Sequence, residues 1–330
     1  MTSITTQAVT VTSNQKNYNL VMGEVILPPL GDHDVRIQVV ASGINRADIY
    51  QSQGSYPPPK GASDILGLEV SGVIAEIGPE VRAHAVGDKV CALLSGGGYA
   101  SEVNVPEWRV LPVPTGMDVL TAASLPEAYA TIYRNIMEIG KLRPLQTVLV
   151  HGGGSGIGTA AIQLIKAFGA SVVVTAGSDA KCQRCLTLGA DVAINYREDN
   201  FVTAVKEYTQ GRGCDLVLDI VGGDYIEQNF RALARFGTMI SISFIHGARA
   251  EVDFSGLLMK NLTLTGSTLR SQEEKVIHEL MQSLRTVVWP MIEAEKIVPT
   301  IDKIFPASQA DKAHACMRDS QHFGKILLEW

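Results

Sequence analysis

The sequence predicts an α/β protein, with a mostly-β region first and a parallel, doubly wound sheet after it. Three observations carry this. Residues 1 to about 123 are rich in β-branched residues and punctuated by Gly-Pro, Pro-Pro and Gly-Asp pairs, the pattern of short strands and tight turns. From about residue 124, short apolar strands alternate with helical segments, which argues for parallel strands joined by right-handed crossovers. The first such strand runs into VLVHGGGSGIGTAAIQLIKAFGA, from residue 148, where five glycines fall within seven residues ahead of a helical pattern.

In the β-rich part the candidate strands are 35–44, 68–78, 88–94 and 99–106. PPLGD (28–32) and SYPPPKG (55–61) are loops, because proline removes ladder donors. LPEAYATIYRNIMEIG (125–140) has helical spacing and a glycine stop. The strands that follow are TVLV (147–150), SVVVTA (171–176), VAIN (192–195), DLVLDI (215–220), TMISIS (238–243) and LTLTG (262–266). Helices begin near Gly156, Ser178, Asp199 and Gly223. Residues 271–297 read as a helix broken near Pro290, and HFGKILLEW ends strand-like.

Bulk composition narrows the function. A chain of 330 residues is long enough for two domains. Hydrophobic content is 46% and charged content 19%, ordinary for a soluble globular protein. No apolar run approaches the ~18 residues of a membrane span. MTSITTQAVTVTSNQ (1–15) lacks the charged-then-apolar pattern of a signal peptide, so the cytoplasm is the expected compartment. The net charge is -6 with no Lys/Arg run, which argues against nucleic acid as a partner. The five cysteines read as reduced thiols. Cys182 and Cys185 form one C-x-x-C, but no second pair lies nearby to complete a zinc site, so packing is the expected role. The seven histidines show no metal spacing; His33, His84, His278, His314 and His322 read as surface or loop residues, and His151 as orienting the glycine loop.

A strand, a glycine loop and a helix in that order make a pyrophosphate site. The loop lets the backbone approach the phosphates, and the helix N-terminus offers free N–H groups and a positive dipole end. The usual fingerprint is G-x-G-x-x-G. If Gly158 is its third glycine, Gly153 is the first and Ser155 stands at the second, where its hydroxyl could reach a phosphate. Gly154, Gly156 and Ile157 complete the loop and first turn. An NAD site carries an acid at the end of the next strand, about 20 residues on. Gly177 and Ser178 stand there instead, with Lys181 and Arg184 on one face of the helix that follows. Asp179 falls in the helix cap, where a first-turn acid is commonplace. The cofactor implied is NADPH.

HGGGSGIGTAAIQLIK, with TAGSDAK and INYRED after it, resembles the medium-chain dehydrogenase/reductase superfamily. GINRADIYQSQGSYPPP, LGLEVSGVIAEIG and GDKVCALLSGGGYAS are similar to its quinone oxidoreductase branch, which includes ζ-crystallin-like and tumour-suppressor-inducible quinone reductases. The resemblance covers essentially the whole chain. It implies a GroES-like mostly-β catalytic domain over 1–123, a Rossmann NADPH-binding domain over 124–264, and a segment over 265–330 that returns to the catalytic domain. The superfamily's alcohol dehydrogenases hold a catalytic zinc with a cysteine and the histidine of a G-H-E motif. Those positions read Asn45 and Leu68 here, and the four-cysteine lobe is absent, so no metal is expected.

The resemblance also implies site residues. Asn45 would reach toward the nicotinamide and its ribose; as a turn residue it would only cap a backbone group. Tyr50 and Tyr56 are similar to the family's active-site tyrosines, with Tyr56 favoured to stack on a ring or bond a carbonyl. Glu127 and Thr131, one helical turn apart, would lie near the nicotinamide; a first-turn acid would otherwise stabilise the helix dipole. Tyr196 would flank the adenosine 2′-phosphate. Val221, Gly222, Ser243 and Phe244 lie at strand C-termini, where doubly wound sheets bind ligands. Leu269, Arg270, Ser271, Gly324 and Lys325 complete the expected cofactor contacts.

The implied reaction is zinc-independent hydride transfer from NADPH to a quinone, ortho-quinones favoured, in an interdomain cleft. An NADPH-dependent enone or 2-enal reductase, which needs a positioned proton donor such as Tyr56, is the alternative. A dinucleotide-binding protein with little turnover is a third reading. The expected partners are the small-molecule quinone or enone and a second copy of the chain, forming a homodimer through LTLTGST; no membrane partner is expected.

Overall fold

The computed structural model describes residues 4–12 and 18–330. The stretch read above for a leader is described only over 4–12, and the rest of it lies outside the described residues. The chain divides into two compact units, Met1–Ala130 with Leu269–Ala294 and Pro299–Trp330, and Thr131–Thr268 with Glu295–Val298.

In chain order the first unit contributes β1 (Ile4–Val11), β2 (Leu20–Leu27), β3 (Asp34–Gly43), α1 (Arg46–Ser52), β4 (Glu69–Ile77), β5 (Lys89–Leu93), β6 (Glu102–Pro106), β7 (Val110–Pro112), α2 (Val119–Ala122) and most of α3 (Pro126–Ile132). The second supplies β8 (Thr147–His151), α4 (Gly156–Ala167), β9 (Ser171–Ala176), α5 (Asp179–Thr187), β10 (Val192–Asn195), α6 (Phe201–Tyr208), β11 (Cys214–Asp219), α7 (Tyr225–Ala232), β12 (Leu233–Ser241), α8 (Ser255–Lys260) and β13 (Thr263–Gly266). The chain closes in the first unit with α9 (Glu274–Ser283), α10 (Trp289–Glu293), β14 (Ile301–Pro306), α11 (Ala310–Arg318) and β15 (Lys325–Glu329).

The first unit's main sheet runs β14-β15-β3-β4-β5-β7, with β6 also paired to β3. β3 is long enough for β15 and β6 both to pair with it, at residues 41–43 and 34–38. Val35, Ile37, Val39, Val70 and Val90 alternate inward along these strands and form its core. The second unit's sheet runs β10-β9-β8-β11-β12-β13, and every pairing in it is parallel. Its strands β8 and β9 are buried on both faces, which explains their continuous apolar reading.

Some expectations needed correction. The helix read over 125–140 is α3 followed by a π-helical stretch, Tyr133–Ile139, that ends at Gly140. A second π-helical stretch, Leu284–Val288, interrupts the helix expected over 271–297 just ahead of Pro290; widening the turn absorbs a residue that cannot donate a helix bond. β12 begins at Leu233 rather than 238, but its register shifts, Phe236 has a left-handed backbone, and regular pairing resumes at Thr238. His314 is buried in a helix, not a surface or loop residue, and His322 lies in a loop but is buried; α11 turns His314 into the first unit's core beside Tyr99. No helix of the described residues is long and apolar enough to cross a membrane.

Candidate active site

In the second unit, β8 delivers His151 at the mouth of the glycine loop. Its ring lies 3.0 Å from Thr175 Oγ1 and 2.8 Å from Asn229 Oδ1, and burial keeps it neutral by lowering its proton affinity. Ser155 is the N-cap of α4: its hydroxyl donates to Gly152 O at 2.8 Å and accepts from Gly158 N–H at 3.0 Å. It closes the loop and caps the helix, so its proton is not directed at a phosphate. A Cβ on Gly158 would stand 2.3 Å from Gly152 O, and one on Gly153 2.7 Å from Val174 Cβ. Only glycine lets α4 pack this closely on β8 and β9. Cys185 Sγ lies against Gly153, and burial pushes its thiol up to about 12, so it packs beneath the loop and is not a reactive thiolate.

The loop at Gly154 and the N–H groups of the first α4 turn (Gly156, Ile157) suit a pyrophosphate. The next strand end suits a 2′-phosphate. Gly177 lies beside the Tyr196 hydroxyl, which a Cβ there would approach to 2.9 Å. Ser178 caps α5 by accepting from Lys181 N–H at 3.3 Å, which sets the half-buried Lys181 on the first turn. Asp179, the acid nearest this strand end, accepts from Asn195 Nδ2 at 2.9 Å, so it is held by a neighbouring strand and not aimed at a ribose hydroxyl. Val221 and Gly222 donate their N–H groups to buried Asp219. Ser243 is half-buried and Phe244 exposed beyond β12. These positions all lie at the carboxyl edge of one parallel sheet.

In the first unit a buried polar cluster surrounds Asn45. The Glu69 carboxylate, fully buried on β4, pairs with Lys325 Nζ from β15. Lys325 also donates to Asn45 Oδ1 at 2.8 Å and Ile44 O at 3.2 Å. Its three donors are therefore taken within the unit. Lys325, which the resemblance placed among the cofactor contacts, orients Asn45 within this cluster. Asn45 Nδ2 donates to Glu69 Oε1 at 3.0 Å, and Glu69 Oε2 accepts Glu127 N–H at 2.9 Å. Gly324, at φ 101°, makes the turn that brings Lys325 in; a Cβ there would meet Thr300 O at 2.3 Å.

Behind Asn45 runs a second chain of buried groups. Asp48 Oδ2 accepts Asn45 N–H at 2.7 Å and Tyr99 OH at 3.1 Å. Tyr99 OH also lies 3.1 Å from His314 Nε2, and His314 Nδ1 lies 2.9 Å from Tyr18 OH. Burial pushes Asp48 up to about 6 and His314 down to about 3, so the histidine is a neutral structural link.

Glu127 opens α3 and Thr131 follows one turn later. Burial and the negative charge of Glu69 push the Glu127 carboxyl up to about 8, so it carries a proton at neutral pH. Tyr50 and Tyr56 are tied through the backbone, Tyr56 N–H donating to Tyr50 O at 3.3 Å. Tyr56 also meets a cation: the Arg270 guanidinium carbon lies 5.5 Å from its ring centroid. Leu269 is half-buried and Ser271 exposed on either side of Arg270. Glu69, Asp48 and Tyr99 escaped sequence reading, although an acid between apolar residues in LGLEVSG was a usable signal.

Among the described residues, no three His, Cys, Asp or Glu side chains gather to hold a metal ion. Residues 31–115 match the alcohol dehydrogenase GroES-like domain, and 156–285 the zinc-binding dehydrogenase family. The chain is 30% identical over 310 residues to the quinone oxidoreductase-like protein 2 of Bos taurus, covering 94% of this chain and 88% of that protein. It is 32% identical over 309 residues to the lovastatin diketide synthase lovF of Aspergillus terreus, but spans only 12% of that protein's length while 91% of this chain is covered. The structure of the Escherichia coli quinone oxidoreductase complexed with NADPH superimposes with a TM-score of 0.87 at 26% identity, covering 98% of this chain and 100% of that one. With its GroES-like unit, its all-parallel cofactor-type sheet and these relatives, the chain is an oxidoreductase of the medium-chain dehydrogenase/reductase superfamily.

Proposed function

We propose that the protein is a zinc-independent NADPH:quinone oxidoreductase. The observation that carries this reading is Glu127, a carboxyl held protonated at neutral pH in a unit whose positions for the family's zinc ligands hold Asn45 and Leu68. Without a metal to polarise a carbonyl, the acceptor must take hydride readily, and a quinone does. Bound NADPH supplies the hydride. The α4 loop binds the pyrophosphate, and Lys181 with Tyr196 accounts for the 2′-phosphate. Glu127 delivers the proton that completes reduction of the acceptor, and Glu69 and Lys325 fix Asn45 in one orientation.

A second reading is reduction of an enone. The diketide-synthase relative and a protonated acid favour it. Turnover at saturating NADPH with an ortho-quinone, a para-quinone and an enone separates the two. The quinones are expected to react faster; a marked preference for the enone would move the assignment. In the same assay Lys181→Ala is expected to lower the NADPH-over-NADH preference about tenfold, the value of one charge-assisted phosphate bond. An unchanged preference would remove Lys181 from the phosphate site.

A homodimer through β13 belongs to this reading. β13 is the edge strand of the parallel sheet, and Leu264 on it is exposed. Sedimentation as a monomer at micromolar concentration would exclude it.

A further inference from the structure

Arg270 was expected among the cofactor contacts, but the hydrogen bond and ring contact that it makes are with Ser95 and Tyr56 of its own unit. It is only 7% exposed. Its Nε donates to Ser95 O at 2.7 Å, and its guanidinium carbon stands 5.5 Å from the Tyr56 ring centroid. Nη1 and Nη2 are both buried and have no hydrogen-bond partner among the described residues. Folded proteins rarely leave two donors of a buried cation idle, because desolvation of each is uncompensated. Such a fork is completed by a ligand that offers two acceptor atoms side by side.

The neighbours say which ligand. The titratable groups beside Arg270 are Tyr56, Asp48 and Glu127, all in the first unit with Asn45. Asp48 Oδ1 and Oδ2 accept from Gly67 N–H and from Asn45 N–H and Tyr99 OH. Glu127 approaches as a neutral acid. Among the described residues no carboxylate therefore fills the fork. The pyrophosphate has its own donors on the α4 loop of the second unit. An aromatic face already packed on the guanidinium suits a flat, conjugated molecule.

We propose that Arg270 is the specificity-determining residue for the acceptor, its two terminal nitrogens forking onto the adjacent oxygens of an ortho-quinone beside the Tyr56 ring. This rests on the quinone reductase reading and deepens it. A 1,2-dicarbonyl presents two neighbouring oxygens to a guanidinium as a carboxylate does; a para-quinone presents one. Hydride transfer oxidises NADPH to NADP+ and leaves the quinone as a hydroquinone monoanion. The charge on its oxygen is held by Arg270, which keeps its own protons, and the proton that completes the hydroquinone comes from Glu127.

The test uses wild type, Arg270→Met and Arg270→Lys. If wild type oxidises no NADPH with any acceptor, the reductase reading fails before Arg270 is at issue. Given turnover, both variants are expected to lose 10²–10³-fold in kcat/KM with an ortho-quinone and about tenfold with a para-quinone, while the Kd for NADPH, read from its fluorescence, is unchanged. Lysine keeps the charge but not the fork, so an ortho-to-para ratio preserved in Arg270→Lys would overturn the proposal. So would a raised Kd for NADPH with the ratio intact, which would make Arg270 a cofactor ligand. A readout without cofactor is spectral titration with 4-nitrocatechol, which carries adjacent oxygens on a ring. It is expected to bind wild type and to fail with Arg270→Met; equal binding to both would overturn the proposal.

Discussion

Glu127→Gln is expected to lower kcat by about 10²–10³-fold, the usual contribution of a positioned acid, and at the same time to raise the melting temperature at pH 7. The two effects share one cause. Burial and the negative charge of Glu69 push the folded carboxyl to about 8 from 4.5 in the unfolded chain. A raised folded pKa means that the group's contribution to stability is full below the unfolded value and is lost as pH rises through 8. At pH 7 the unfolded chain ionises and the folded one does not, a cost to folding on the order of 2–3 kcal/mol. Glutamine does not titrate, so the variant is expected to melt a few degrees higher at pH 7 and to show a shallower dependence between pH 4.5 and 8. Asp48, pushed up to about 6, slopes the same way in both proteins. In wild type, kcat/KM should fall above pH 8 as the acid is lost. Thermal melts and pH–rate profiles of the two proteins check this; a variant with unchanged kcat would show that Glu127 donates no proton.

Lys325→Met is expected to give the largest loss of stability. It leaves the fully buried Glu69 carboxylate with no cation beside it. Breaking a buried pair from one side costs about 3–5 kcal/mol, or roughly 10 °C in melting temperature. Activity should fall as well, because Asn45 loses the bond that fixes its amide. Adding Glu69→Gln removes the orphaned charge, so the double variant is expected to recover much of the stability but not the activity. Differential scanning of the single and double variants separates these outcomes. If Lys325→Met alone melts like wild type, Glu69 is not held as a charged partner.

Local chemistry made much of the fold legible in the sequence. β9 and β10 fall on the residues their apolar runs predict, and the glycine loop announces itself because Gly153 and Gly158 must admit a helix against strands. Registry and long-range pairing were not legible. Nothing near Lys325 in sequence points to Glu69, 256 residues away, and Tyr99 meets His314 across 215. His314 reads as a surface residue because a histidine in a polar helix usually is one; packing of α11 on β15, β14 and β2 turns it inward. The role of Ser155 was half legible. The loop is a phosphate cradle by pattern, but the same hydroxyl is an N-cap by geometry. Arg270 could be named from a resemblance, but its idle donors are visible only once Ser95, Tyr56 and Glu127 are folded around it.

The most direct measurement is oxidation of NADPH and of NADH by an ortho-quinone, followed by loss of nicotinamide absorbance before and after exhaustive treatment with a chelator. Fast oxidation that prefers NADPH and is indifferent to the chelator is the predicted result. Activity that disappears with the chelator and returns with zinc, or tight NADPH binding with no turnover by any quinone, would contradict a zinc-independent NADPH:quinone oxidoreductase.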